Sequence, residues 1–150
     1  MTQKELDRAV EHLSNKDKIM SRIIKKFGNC NLHSNSNYFN SLLEAIIGQQ
    51  LSMKAADSII RKFYDKFGNN PDPEKIINAS QDELASVGVS PQKMKYVKDF
   101  SIKYLAEDIS FKNINKRDDD EIIAELTKVK GIGVWTVHMF LIFTLGRPDI

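Results

Sequence analysis

The stretch Leu126-Thr127-Lys128-Val129-Lys130-Gly131-Ile132-Gly133-Val134-Trp135-Thr136 limits the fold more than any other part of the chain. Apolar residues at helical spacing lead into it, and a second apolar run follows at once. Gly131 and Gly133, one residue apart, let the backbone turn tightly and bring bare N–H groups to the surface. Such groups at the start of a helix form an anion site. With Lys128 and Lys130 alongside, the anion that suits the site is a nucleic-acid phosphate. Positive φ is expected at both glycines. Read for geometry alone, the pair makes a tight connection between two helices and nothing more.

The rest of the chain reads as helix, with no competing strand pattern. Leu6, Val10 and Leu13 predict a helix over 4–13, and Ile19, Ile23, Ile24 and Phe27 another over 16–27 that Gly28 ends. Residues 29–37 are polar and read as a loop. Phe39, Leu42, Leu43, Ile46 and Ile47 form an apolar helix that Gly48 interrupts. Ser52 caps the next, whose inner face is Ala55, Ala56, Ile59, Ile60 and Phe63. Short helices are expected over 73–78 and 80–86, the second with a Ser80/Glu83 capping box. Pro91 opens a helix over 91–107 with Met94, Val97, Phe100, Ile102 and Leu105 inward. Asp118-Asp119-Asp120-Glu121 suits a helix N-terminus better than a metal, because acids there meet the positive end of the macrodipole. Helices over 119–128 and 134–145 flank the glycines. The fold class is all-α, an array of short helices in one domain, divided at 1–37, 38–109 and 119–145.

A net charge of +2 is too small to demand a nucleic-acid partner. Lys and Arg outnumber Asp and Glu 11 to 7 over residues 1–70 and are outnumbered 11 to 13 over 71–150, a weak basic bias on one half. Cys30 alone allows no internal disulfide and no four-cysteine zinc or iron–sulfur site. His12, His33 and His138 lack ligand spacing and read as surface or packing histidines. The polar N-terminus carries no signal-peptide pattern, and no apolar run reaches the roughly 18 residues of a membrane span. A cytoplasmic location is expected, or a nuclear one in a cell with a nucleus.

From Phe39 to Ile150 the chain resembles the helix–hairpin–helix DNA glycosylases, most closely the 3-methyladenine DNA glycosylase II branch. Four blocks in order carry the resemblance. They are Phe39-x-x-Leu42-x-x-x-Ile46-x-Gly48-Gln49-Gln50-Leu51-Ser52 with Ala55-Ala56; Ser90-x-x-Lys93 with Tyr96-Val97; Lys130 to Thr136; and Gly146-Arg147-Pro148-Asp149. The resemblance implies a base excision repair enzyme that flips alkylated purines from double-stranded DNA and hydrolyses the N-glycosidic bond. It places Gln50 as a plug and Leu51 as a wedge in the gap left by the flipped nucleotide. Lys128, Lys130, Gly131, Gly133 and the Thr136 hydroxyl fall at the phosphate contacts, and Trp135 lines the base pocket. Gln49 is either a buried cap or a DNA contact. Backbone carbonyls of Thr127, Val129 and Ile132 match a monovalent-cation site; no other cofactor is expected, and the protein is expected to be a monomer.

Trp135 also separates branches. Relatives that cleave DNA through a Schiff base carry a lysine there, and an indole cannot serve as that nucleophile. A monofunctional enzyme follows. The family's catalytic aspartate falls a few residues past Asp149, beyond Ile150, so no catalytic residue is identified and the chain reads as C-terminally truncated. A non-catalytic DNA-binding module with the same hairpin is the alternative, and a helical interaction domain a third.

Overall fold

The computed structural model describes residues 2–30 and 34–150, so His33 and part of the 29–37 loop lie outside the described residues. Among the described residues all regular structure is helical. The order is α1 (Gln3–Lys16), α2 (Lys18–Phe27), α3 (Tyr38–Gly48), α4 (Met53–Phe67), α5 (Pro73–Asn78), α6 (Gln81–Ser86), α7 (Pro91–Leu105), a 3₁₀ turn (Ile114–Lys116), α8 (Asp119–Leu126) and α9 (Val134–Phe143).

Short helices need their ends satisfied, and here side chains do most of that. Asp17, Asn37, Ser52, Asp72 and Ser90 each accept a backbone N–H of the helix they precede, while Thr2 and Ser80 form full capping boxes. Each such cap contributes about 1 kcal/mol. α7 supplies the opposite kind of cap. Its Lys98 ammonium donates to Ile77 O at 2.8 Å and Ala79 O at 2.6 Å, closing the C-terminal end of α5.

α3 is the central helix, packed on α4, α7 and α9. Its Leu42, Leu43, Ile46 and Ile47 are fully buried, joined by Phe63, Phe100, Ile122, Leu126, Val137 and Leu141 from the surrounding helices. Phe39 stacks on Phe100 with ring centroids 4.7 Å apart. Gly48 is the last residue of α3, so the apolar helix ends at the glycine, and an added Cβ would make ordinary contact with the Ala56 Cβ at 3.6 Å.

Ile102 and Leu105, expected inward, are 50% and 45% exposed. The inner stripe of α7 is Met94, Val97, Phe100 and Ser101. Two residues beyond Phe100 the helix has turned through about 200°, so Ile102 faces solvent. Leu105 closes the last turn, past the edge of the core. Several apolar residues of α1 and α2 also stay outside the core: only Leu6 is buried, while Leu13, Ile19, Ile23 and Phe27 are exposed.

Candidate nucleic-acid interface

The hairpin is anchored from below by its apolar residues. Val129 and Ile132 are buried, and three successive turns, Lys128 N–H to Glu125 O, Val129 N–H to Leu126 O and Ile132 N–H to Val129 O, wind the chain out of α8. The Thr127 hydroxyl donates to Ile123 O at 2.7 Å and so closes α8. Gly131 has φ +84°, the left-handed region. A Cβ there would lie 2.2 Å from Tyr96 Cδ2. Gly131 therefore answers two demands, a backbone conformation and the close approach of an aromatic ring.

Gly133 corrects the expectation of paired positive φ. Its φ is −99° and ψ 172°, extended backbone open to any residue, and an added Cβ would meet nothing within 4 Å. Here the missing side chain leaves open space in front of the helix it precedes. No side chain caps α9, and the N–H groups of Val134, Trp135 and Thr136 have no intramolecular acceptor among the described residues. That end of α9 carries partial positive charge from its aligned peptides. Gly133→Ala is thus expected to change folding stability by less than about 0.5 kcal/mol. The same substitution is expected to weaken duplex DNA binding about tenfold, the worth of one charge-assisted hydrogen bond. Fluorescence anisotropy over a salt series measures this; an unchanged affinity removes the hairpin from the interface.

Lys128 and Lys130 are both exposed. Lys130 is not independent of the fold. Its backbone N–H donates to Asp99 Oδ2 at 2.8 Å, and its ammonium lies 3.7 Å from Asp99 Oδ1, which Lys103 also approaches at 3.2 Å. Burial pushes the Asp99 carboxyl up, but the Lys130 N–H and the two ammonium groups outweigh it and hold the group below its ordinary value. Thr136, in the first turn of α9, is only 7% exposed, while Trp135 beside it is 70% exposed.

A second protruding turn joins α3 to α4. Gln50 takes φ +57°, a left-handed conformation that costs a non-glycine residue about 1–2 kcal/mol. Leu51, 38% exposed, follows it, and Ser52 then caps α4. The Lys93 ammonium, from α7, donates to Ile47 O and Gln49 O, both at 2.7 Å. Burial lowers the Lys93 pKa. The Gln49 side chain crosses to the hairpin, where its Nε2 donates to Gly131 O at 2.7 Å. Between the two turns lies a recess of about 320 Å³ lined by Gln49, Gln50, Leu51, Ser90, Gln92, Lys93, Tyr96 and Gly131.

The 3₁₀ turn and the Gly146–Asp149 segment are fastened by arginines. Arg147 donates from Nη2 to Arg117 O at 2.7 Å, and its Nε lies 3.3 Å from Asp119 Oδ1. Arg117 in turn holds Glu125 through Nη2–Oε2 at 2.7 Å. The acids at 118–121 thus lie at the start of α8, Asp119 paired with Arg147 and Glu121 with Arg117, and no group of metal-ligating side chains exists among the described residues. Asp149 is exposed.

The structure thus joins Gln49 to Gly131 and Lys130 to Asp99, and sets Gln50, Leu51 and Gly131 around one recess. The roles of Lys93, Tyr96 and Asp99 as supports of that arrangement were not legible in the sequence. Their spacing of three along α7 was the available signal, since it puts them on one helix face.

An all-helical array that presents an uncapped helix start through a glycine turn defines a helix–hairpin–helix protein. The chain belongs to the HhH-GPD superfamily of base excision DNA repair proteins, whose family model matches residues 43–149. It is 36% identical to the alkylbase DNA glycosidase-like protein mag2 of Schizosaccharomyces pombe, over 95% of this chain and 70% of that one. With DNA-3-methyladenine glycosylase 1 of the same yeast it shares 33% identity, over 97% of this chain and 66% of the relative. The structure of S. pombe 3-methyladenine DNA glycosylase (Mag1) in complex with abasic DNA superposes with a TM-score of 0.86 at 32% identity, covering 95% of this chain and 72% of that one. MBOgg1, 18% identical, shares the fold with a TM-score of 0.82.

Proposed function

We propose that the chain is the DNA-gripping and base-flipping part of a monofunctional alkylpurine DNA glycosylase. The observation that supports this most is the Gln49–Gly131 junction. It sets a protruding apolar turn beside an uncapped helix start, in a chain whose relatives are named 3-methyladenine glycosylases. The N–H groups at the start of α9, with Lys128 and Lys130, hold the phosphates of double-stranded DNA. Gln50 and Leu51 enter the stack where the damaged nucleotide leaves it. The exposed Trp135 ring receives the flipped base, since an indole face attracts a cationic alkylpurine by about 0.5–2 kcal/mol.

An alkylated purine carries positive charge and leaves readily, so protonation of the leaving group is not required. What the reaction needs is a carboxylate near the sugar, where positive charge develops, and water as the attacking group. No side chain of residues 1–150 is assigned that role. Carbonyls of Thr127, Val129 and Ile132 would suit a monovalent cation. They are neutral oxygens, and the Val129 carbonyl, which accepts one N–H from Ile132, keeps a lone pair free. The enzyme would act where its DNA is, in the cytoplasm or the nucleus; no helix among the described residues is long and apolar enough to cross a membrane.

The test measures free base and abasic sites on methylated duplex DNA, for residues 1–150 and for a chain carried past Ile150 along its coding sequence. Base release by the longer chain is expected, with no borohydride-trapped complex. It should be faster in potassium than in tetramethylammonium at equal ionic strength. No released base from the longer chain overturns the glycosylase reading, and a trapped complex overturns the monofunctional one. Salt-sensitive duplex binding without base release would mark a non-catalytic binding module instead.

A further inference from the structure

Three residues of α7 at intervals of three, Lys93, Tyr96 and Asp99, reach the two protruding turns from one helix face. Lys93 donates to Ile47 O and Gln49 O at 2.7 Å each, filling carbonyls that the end of α3 leaves without intrahelical partners. The Tyr96 ring lies against Gly131 so closely that no Cβ fits between them. Asp99 takes the Lys130 N–H at 2.8 Å. Gln49 then ties the two turns directly, Nε2 to Gly131 O at 2.7 Å. The left-handed Gln50 immediately follows the residues that Lys93 holds.

We propose that the Lys93–Tyr96–Asp99 face of α7, with Gln49, is a splint that fixes the Gln50–Leu51 turn relative to the Gly131 hairpin, so that insertion into DNA and phosphate binding occur as one rigid event. The inference rests on the DNA-glycosylase reading above and adds positioning residues to it. A phosphate grip works without the splint, because its N–H groups belong to α9. Distortion of DNA does not, because a wedge on a loose turn yields to the base stack instead of parting it. Lys93 and Gln49 therefore act on discrimination between distorted and intact duplex, and little on affinity for intact duplex.

The test uses Lys93→Met, which keeps the stem and removes the ammonium, Lys93→Arg, which restores two donors, and Gln49→Leu. Affinity is measured for an intact duplex and for one with an abasic-site analogue beside 2-aminopurine, whose fluorescence rises on unstacking. Lys93→Met and Gln49→Leu should lower the preference for the abasic duplex about tenfold and lose the fluorescence rise. Intact-duplex affinity should stay within about twofold, and Lys93→Arg should recover most of the preference. An unchanged preference and fluorescence rise, or an equal loss on both duplexes, overturns the splint. Amide hydrogen exchange in the free protein decides the matter independently of DNA. In Lys93→Met, exchange at residues 50–51 and 131–133 should rise together while α4 and α5 keep their protection. A rise in one turn alone, or in neither, overturns the inference even if DNA binds. If exchange responds in both turns but no duplex is bound by the unaltered chain, the splint stands and the DNA reading fails.

Discussion

Gly131→Ala is expected to destabilise the protein by about 3–4 kcal/mol. Two independent costs add. The backbone at φ +84° would have to hold an L-residue in the left-handed region, which costs about 1–2 kcal/mol. The new methyl would lie 2.2 Å from Tyr96 Cδ2, so either the ring or the hairpin must move, and overpacking of this kind costs about 1–3 kcal/mol. In a domain of this size each kcal/mol lowers Tm by roughly 2–4 °C, so a fall of about 10 °C is expected in a thermal melt. The added Tyr96→Ala change separates the two costs. With the ring gone the clash disappears and the φ cost remains, so the double variant should show a coupling of at least about 1 kcal/mol. Additive effects would mean that the Tyr96 ring does not roof the hairpin. The contrast with Gly133→Ala is the sharper check, since Gly131 is held by backbone and packing while an added methyl at Gly133 meets nothing within 4 Å.

Glu125→Ala carries the second large effect, about 2–3 kcal/mol. The carboxylate accepts from Arg117 through both oxygens, at 3.2 and 2.7 Å, and from the Ser110 N–H at 2.7 Å. Both side chains are about one-fifth exposed, so the loss falls short of the 3–5 kcal/mol of a fully buried pair. Burial pushes the Glu125 carboxyl up; hydrogen bonds from Arg117 and the Ser110 N–H, with the charges of Arg117 and Lys128, more than offset that and leave it below its ordinary value of 4.5. A folded-state pKa below the unfolded one means that the folded protein binds the proton less readily. The carboxylate's contribution is complete above pH 4.5 and is lost as pH falls through the folded-state pKa. Asp99 behaves alike below its ordinary 3.8. Urea titrations from pH 7 down to about pH 3 should therefore show stability falling in the acid range. Glu125→Gln should flatten the part of that fall that begins near 4.5. An equally steep fall in the variant would place the acid sensitivity elsewhere.

Much of this molecule is legible along the chain because its determinants are local. Polar caps at Ser52 and Ser80, and Pro91 in a first turn, mark helix starts that the structure places at the same residues. Leu42, Leu43, Ile46 and Ile47 announce a buried helix by spacing alone, and the Gly131/Gly133 hairpin announces its turn. Ile102 and Leu105 are apolar yet face solvent. The spacing of apolar residues on a long helix does not say which stripe is inward; α3, α5 and α6, packed on α7, decide which stripe of it is covered.

The sequence by itself determined an all-helical chain, the place of its glycine turn and the apolar Leu51 after Gln50. Each of these depends on residue type and short-range spacing, which backbone geometry and side-chain chemistry translate directly. Tertiary structure alone decided that an aromatic ring packs on Gly131 while Gly133 faces open space. It also decided that Gln49 spans the gap to the hairpin and that α7 holds both protruding turns. Those facts rest on contacts between residues 31 to 82 positions apart, where a hydrogen bond or a clash depends on which helices the core brings together and not on any pattern along the chain.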